Sequence, residues 1–174
     1  MDALSFERVG RGGVALVLVA LGVSLASPAA GSIWRDREWT DVEGKTWTAE
    51  ELEDRVVLLD FWATWCAPCL AELPNLRRLQ AEHGDDGLVI VGIALDAIDR
   101  RGLRSFLLRH GIDWPQVHRP DGIASELARR FAVEAVPVTL LVDRQGRVIA
   151  RDLRGEALAK VVGTLLLSAK TEVG

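Results

Sequence analysis

The sequence predicts an α/β fold: a central mixed sheet with helices on both faces. Three observations predict it. The run from Val56 to Trp62 is apolar except for Asp60, and the run from Leu88 to Leu95 is apolar throughout. Such runs belong to strands covered on both faces. Each run is followed by a helix-like segment, over residues 67–82 and 100–110, and strand–helix alternation is the order of α/β proteins. A third strand, Val138 to Val142, leads through the turn Asp143-Arg144-Gln145-Gly146 into a return strand over 147–152 and an amphipathic closing helix over 156–169.

Ahead of these elements lies a leader. Residues 12–34 carry no charge, Val14 to Leu25 is strongly apolar, Arg8 and Arg11 precede it, and Ser27-Pro28-Ala29-Ala30-Gly31 follows. This is the pattern of a signal peptide or an N-terminal membrane anchor, so residues 1–32 are assigned to it and 33–174 to the folded domain. The apolar core is short against the roughly 20 residues of a span, although the uncharged stretch reaches that length. Cleavage after Ala29 or Ala30 suits the small residues there, with Pro28 against it. No cysteine follows the run, which excludes a lipoprotein. The domain is therefore expected outside the cytoplasm, where disulfides persist.

The 174 residues fit one domain plus this leader. The 21 basic residues are scattered among 25 acidic ones, so no basic stripe points to nucleic acid. Between the leader and the first long strand, Glu43-Gly44 suits a tight turn, and Thr48-Ala49-Glu50-Glu51 reads as a capping box opening a short helix. Trp39 and Trp47 are read as packing residues of this segment. Pro74 lies inside the first long helix and predicts a kink, residues 83–87 form a loop, and Gly111 ends the next helix as a C-cap. Trp114-Pro115, Pro120 and Gly122 mark an irregular link, followed by a short helix over 124–131.

The chain has two cysteines, Cys66 and Cys69, both in Asp60-Phe-Trp-Ala-Thr-Trp-Cys-Ala-Pro-Cys-Leu-Ala-Glu-Leu-Pro74. Cys66 falls where a strand ends and a helix begins. There, unpaired N–H groups and the helix dipole favour an anion, and a thiol so placed drops from about 8.5 into the range of roughly 3.5–7.5. Cys69 lies one turn on, within disulfide reach, and Pro68 sits inside the helix start, where its missing N–H costs nothing. A zinc site needs about four ligands, and His83, His110 and His118 stand alone without ligand spacing. A purely structural bridge would close too short a loop to constrain the unfolded chain much. The arrangement reads as a dithiol that cycles.

Trp-Cys-Ala-Pro-Cys after an apolar strand, with Asp60 before it and Pro74 after it, resembles the thioredoxin superfamily. The wider phrase, from Phe61 through Glu72 to Pro74, is similar to its TlpA/ResA branch of bacterial thiol–disulfide proteins that act outside the cytoplasm. The resemblance covers about Trp39 to Ala169. It implies a thioredoxin-like fold with an N-terminal hairpin extension and a central helix–strand insertion. It also implies a cis-proline at Pro137, facing the dithiol, with Val136 before it helping to pair with a substrate strand. By default the bond before Pro137 would be trans. Val138 stands where the branch commonly has threonine.

Thiol–disulfide exchange needs a thiolate to attack and a second thiol to resolve the mixed disulfide. Cys66 is assigned the attack, as the cysteine nearer the helix end and solvent, and Cys69, deeper, the resolution. Asp60 interrupts an apolar strand, and a buried carboxylate is costly without a partner. It is read either as a cap on local backbone or as the acceptor of the Cys69 proton, the part an aspartate takes at the matching place in thioredoxin. Many TlpA/ResA members have asparagine there and a glutamate near the end of the next strand, where this chain has Asp96 and Ala97. Glu72 is read as a surface helix residue. Trp62 and Trp65 shape the dithiol surface, with Trp65 the one expected to touch a partner.

The expected function is therefore that of a periplasmic or otherwise extracytoplasmic thiol–disulfide oxidoreductase, anchored or secreted. It would reduce disulfides of exported proteins in cytochrome c maturation or oxidase assembly. Its partners would be disulfide-containing exported proteins, an upstream membrane electron donor, and the membrane itself if the leader is uncleaved. No cofactor, metal or nucleic acid is called for. Two other readings remain: a thiol peroxidase, whose Pro-x-x-x-Thr-x-x-Cys context is missing here, and a copper metallochaperone, whose Cys-x-x-x-Cys spacing is one residue longer.

Overall fold

The computed structural model describes residue 33 and residues 38–171. The leader assigned to residues 1–32 lies outside the described residues. Trp39–Thr40 (β1) and Thr46–Trp47 (β2) pair antiparallel, turning at Gly44, whose φ of 89° suits glycine. Asp41 ties the turn: its Oδ1 accepts from the Glu43 and Lys45 N–H groups and its Oδ2 from Trp47 Nε1. The short helix Ala49–Leu52 (α1) follows, with the Thr48 N–H donating to Glu51 Oε2 at 3.2 Å, as a capping box requires.

The main elements are Val56–Trp62 (β3), Ala67–His83 (α2), Leu88–Ala94 (β4), Arg100–Arg109 (α3), Gln116–His118 (β5), Glu126–Arg130 (α4), Val138–Val142 (β6), Val148–Arg151 (β7) and Gly155–Thr171 (α5). Five strands run β5-β4-β3-β6-β7 across one sheet. Strands β3, β4 and β5 are parallel, while β6 and β7 are antiparallel additions, so the sheet is mixed as expected. The link from Trp114 to Gly122 holds β5, which lies along Gly92–Ala94 as the sheet's edge. Three residues are too few to show a strand period in the sequence.

All seven residues of β3 are buried. Side chains alternate across the sheet. Val56, Leu58 and Trp62 enter a core formed with Leu73 and Leu76 of α2, Leu103 of α3 and Leu158 of α5. Val57, Leu59 and Phe61 enter a second core with Trp39, Leu127 and Val133. Each fully buried aliphatic side chain contributes roughly 1.5–3 kcal/mol. Covering both faces is thus what holds β3 at the centre.

A dithiol site at the carboxyl end of the central strands

Strands β3, β4 and β5 all run toward one end of the sheet, and β6 starts there, because Val138 lies opposite Phe61. At that end β3 passes through residues 63–65 into α2. Cys66 is the N-cap of α2, in extended conformation, with Pro68 among the first helical residues. Its Sγ accepts the Cys69 N–H at 3.2 Å. A sulfur thus fills the place an oxygen takes in an ordinary N-cap. The two cysteines form a disulfide with Cα atoms 5.3 Å apart. Cys66 is 3% exposed and Cys69 4%, so the expected difference in depth is not seen and accessibility does not separate them. What separates them is the helix terminus, where Cys66 alone caps.

The segment before Cys66 is bracketed by Asp96, just past the end of β4. Asp96 Oδ2 accepts both the N–H and the hydroxyl of Thr64, each at 2.6 Å, and Asp96 Oδ1 accepts the Ile98 N–H at 3.1 Å. Burial pulls the Asp96 carboxyl up, but these bonds and the nearby His118 together hold it below the usual carboxylate range. A carboxylate so held is a poor proton acceptor. Trp65, between Thr64 and Cys66, is 70% exposed, a wide apolar surface next to the disulfide.

Asp60 is 6% exposed and, by the alternation of β3, shares the face of Leu58 and Trp62, on which α2 and its cysteines pack. It stands between Gly92 on β4 and Thr139 on β6. The Thr139 hydroxyl donates elsewhere, to the Leu153 carbonyl at 2.8 Å, and no hydrogen bond from a described residue holds the Asp60 charge. The reading of Asp60 as a cap on local backbone is therefore not what the structure has. Desolvation above all, and then the charge of Glu72, push its carboxyl up to about 7, against a smaller pull from Arg154.

Val136-Pro137 is a cis peptide, as the resemblance implied. Both residues are half-buried at the start of β6, and Val136 packs against both cores. The structure thus gathers Cys66, Cys69, Trp65, Val136 and Pro137 at one end of the sheet, with Asp60 on β3 beneath α2.

Glu72 is not the plain surface residue expected. Its Oε1 accepts the Gly155 N–H at 2.7 Å and the Asn75 amide at 2.5 Å. Spacing in the sequence puts Glu72 on the same side of the helix as Cys69, but its partner Gly155 lies too far along the chain to leave a pattern. Arg154, which donates to the Pro137 carbonyl at 2.7 Å, had no signal, since a loop arginine 17 residues away shows no pattern. Among the described residues, no three His, Cys, Asp or Glu side chains are grouped to hold a metal ion. His118 Nε2 lies 3.0 Å from the Asp96 carbonyl oxygen.

Residues 30–151 match the AhpC/TSA family. The thiol-disulfide oxidoreductase ResA of Bacillus thuringiensis subsp. konkukian is 29% identical over 117 residues, which are 67% of this chain and 65% of that protein. The chain thus spans slightly under two thirds of that relative's length. A thiol-disulfide oxidoreductase from Bacteroides fragilis superposes with a TM-score of 0.68 at 32% identity, over 74% of this chain and 96% of the other. The thioredoxin domain of a Bacteroides vulgatus thiol-disulfide oxidoreductase gives 0.68 at 25% identity, over 79% and 98%. The fold is thioredoxin-like, and the chain belongs to the AhpC/TSA family of the thioredoxin superfamily, with ResA proteins among its relatives.

Proposed function

We propose that the protein is an extracytoplasmic thiol–disulfide oxidoreductase that reduces disulfides of exported proteins. The observation that carries this reading is the Cys66–Cys69 disulfide at the N-terminus of α2, with Cys66 Sγ in the capping position. In the reduced protein, the Cys66 thiolate attacks one sulfur of a target disulfide. A mixed disulfide forms, and the first target thiolate leaves and takes a proton. Cys69 then gives its proton to the Asp60 carboxylate and attacks Cys66 Sγ. The protein's disulfide closes, the second target thiol is released, and two electrons have passed to the target. A carboxyl group titrating near 7 suits this exchange, since it can hold or release a proton at neutral pH.

Trp65 gives the target an apolar contact beside Cys66, and the Val136 backbone gives it a strand to pair with. The leader pattern of residues 1–32 supports export, and an upstream membrane dithiol would restore the reduced state. Cytochrome c maturation or oxidase assembly is the setting the ResA-like branch suggests. Mixing the pre-reduced protein with insulin tests the reading: wild type should reduce it, Cys66→Ser should not, and Cys69→Ser should trap a mixed disulfide through Cys66. Turnover of hydrogen peroxide instead, without insulin reduction, would favour a peroxidase.

A further inference from the structure

Arg154 lies in the link between β7 and α5, and that link is laced to the start of β6. The Asp152 N–H donates to the Thr139 carbonyl at 2.9 Å, and the Thr139 hydroxyl donates to the Leu153 carbonyl at 2.8 Å. Arg154 reaches past Thr139, and its Nη2 donates to the Pro137 carbonyl at 2.7 Å. The next residue, Gly155, is tied to α2 through Glu72. One exposed side chain therefore joins the Pro137 segment to the link that Glu72 fastens to the cysteine-bearing helix. The Val136 N–H and carbonyl lie outside the β6 ladder, which begins at Val138 opposite Phe61. Their placement depends on what holds Pro137.

We propose that Arg154 is a positioning residue for target docking: its grip on the Pro137 carbonyl fixes the Val136 backbone relative to Cys66, so a protein disulfide is presented in register for attack. This rests on the reductase reading above. Hydrogen bonds from a charged donor are short and directional, and a planar guanidinium can donate through one nitrogen while its charge faces another group. The same charge, acting at longer range, favours ionisation of Asp60. Arg154 thus bears on both halves of the reaction: docking through Pro137, and resolution through the field at Asp60. A small disulfide needs no strand pairing and should feel only the second.

The test uses single-turnover kinetics of the full-length, pre-reduced protein with insulin and with bis(2-hydroxyethyl) disulfide. Arg154→Ala should slow attack on insulin at least five times more than attack on the small disulfide, mostly as weaker binding. Arg154→Lys, which can still donate to the carbonyl, should recover most of that loss. The pH midpoint of mixed-disulfide resolution should also rise in Arg154→Ala and stay near wild type in Arg154→Lys, a shift that a scaffold defect would not produce. Equal losses with both disulfides, or no loss with either, would overturn the proposal. If wild type reduced neither disulfide, the reductase reading itself would fall and the proposal with it.

Discussion

Glu72 on the cysteine-bearing helix accepts the first backbone N–H of α5, that of Gly155, at 2.7 Å. A carboxylate there complements the positive end of a long helix. The same charge opposes ionisation of Asp60, so one group steadies the scaffold and unsettles the acid beneath it. Glu72→Gln keeps an acceptor oxygen and removes the charge. The Asp60 midpoint should move down from about 7 in a carboxyl NMR titration, while stability falls by only about 0.3–1 kcal/mol. An unmoved midpoint would mean that Glu72 and Asp60 do not sense each other.

Asp60 should also shape the pH dependence of stability. Its folded midpoint, about 7, lies above the unfolded value of 3.8. Between these values the folded protein holds a proton that the unfolded chain has released. Stability from this group therefore falls as pH rises from about 4 to 7, by an amount on the order of 4 kcal/mol at most. Asp60→Asn should be more stable than wild type at pH 8, by about 1–3 kcal/mol, and equal to it near pH 4. Denaturant unfolding across pH measures this. The variant should also release mixed disulfides more slowly near neutral pH, and unchanged release with lower stability would make Asp60 a structural carboxylate.

Asp96 has the opposite sign. Its folded midpoint is depressed, so its contribution is present above the unfolded carboxylate value and is lost as pH falls through the folded one. Asp96→Ala strands the N–H and hydroxyl of Thr64 and should cost about 1–3 kcal/mol at pH 7. The penalty should shrink at pH 3. A penalty that stayed constant from pH 7 to pH 3 would show that the charge on Asp96 is irrelevant.

Much of the fold was legible because β3 and β4 are long, apolar and followed by periodic helices. The cysteines were legible because their spacing and position each carry chemistry. Asp60 could be picked out as the single break in an apolar strand. What could not be read depends on contacts distant in sequence: Gln116 on Trp62, Glu72 on Gly155, and Arg154 on Pro137. The depth of the cysteines was misjudged because position along a helix does not report how neighbouring loops cover it.

The first of those distant contacts is itself testable. Trp62 Nε1 donates to Gln116 Oε1 at 2.9 Å, and the Gln116 amide occupies the space above Gly92. A Cβ at position 92 would meet Gln116 Oε1 at 2.2 Å. Gly92→Ala should therefore destabilise by about 1–3 kcal/mol. Gln116→Ala should cost a similar amount by stranding the indole N–H. Because the second change clears room for the first, the double variant should lose clearly less than the sum of the two. Strict additivity in thermal unfolding would refute the clash.

The cysteines should differ in acidity although they do not differ in depth. In the reduced protein, iodoacetamide titrated across pH should label Cys66 first, at a midpoint below the free thiol value of about 8.5. Preferential labelling of Cys69 would reverse the assignment of attack and resolution.

The central strand has one more consequence. β3 is paired along both edges and covered on both faces. Its amides have no local route to water, so their hydrogen exchange reports only opening of the whole domain. The amides of residues 63–65 and of Val136 lie outside these ladders, at the disulfide's end of the sheet, and can exchange through smaller openings. The reacting sulfurs thus sit at the seam between the slowest-exchanging backbone and a faster one. Reduction of the disulfide should register as deuterium uptake on the outer side of that seam, while β3 keeps its protons.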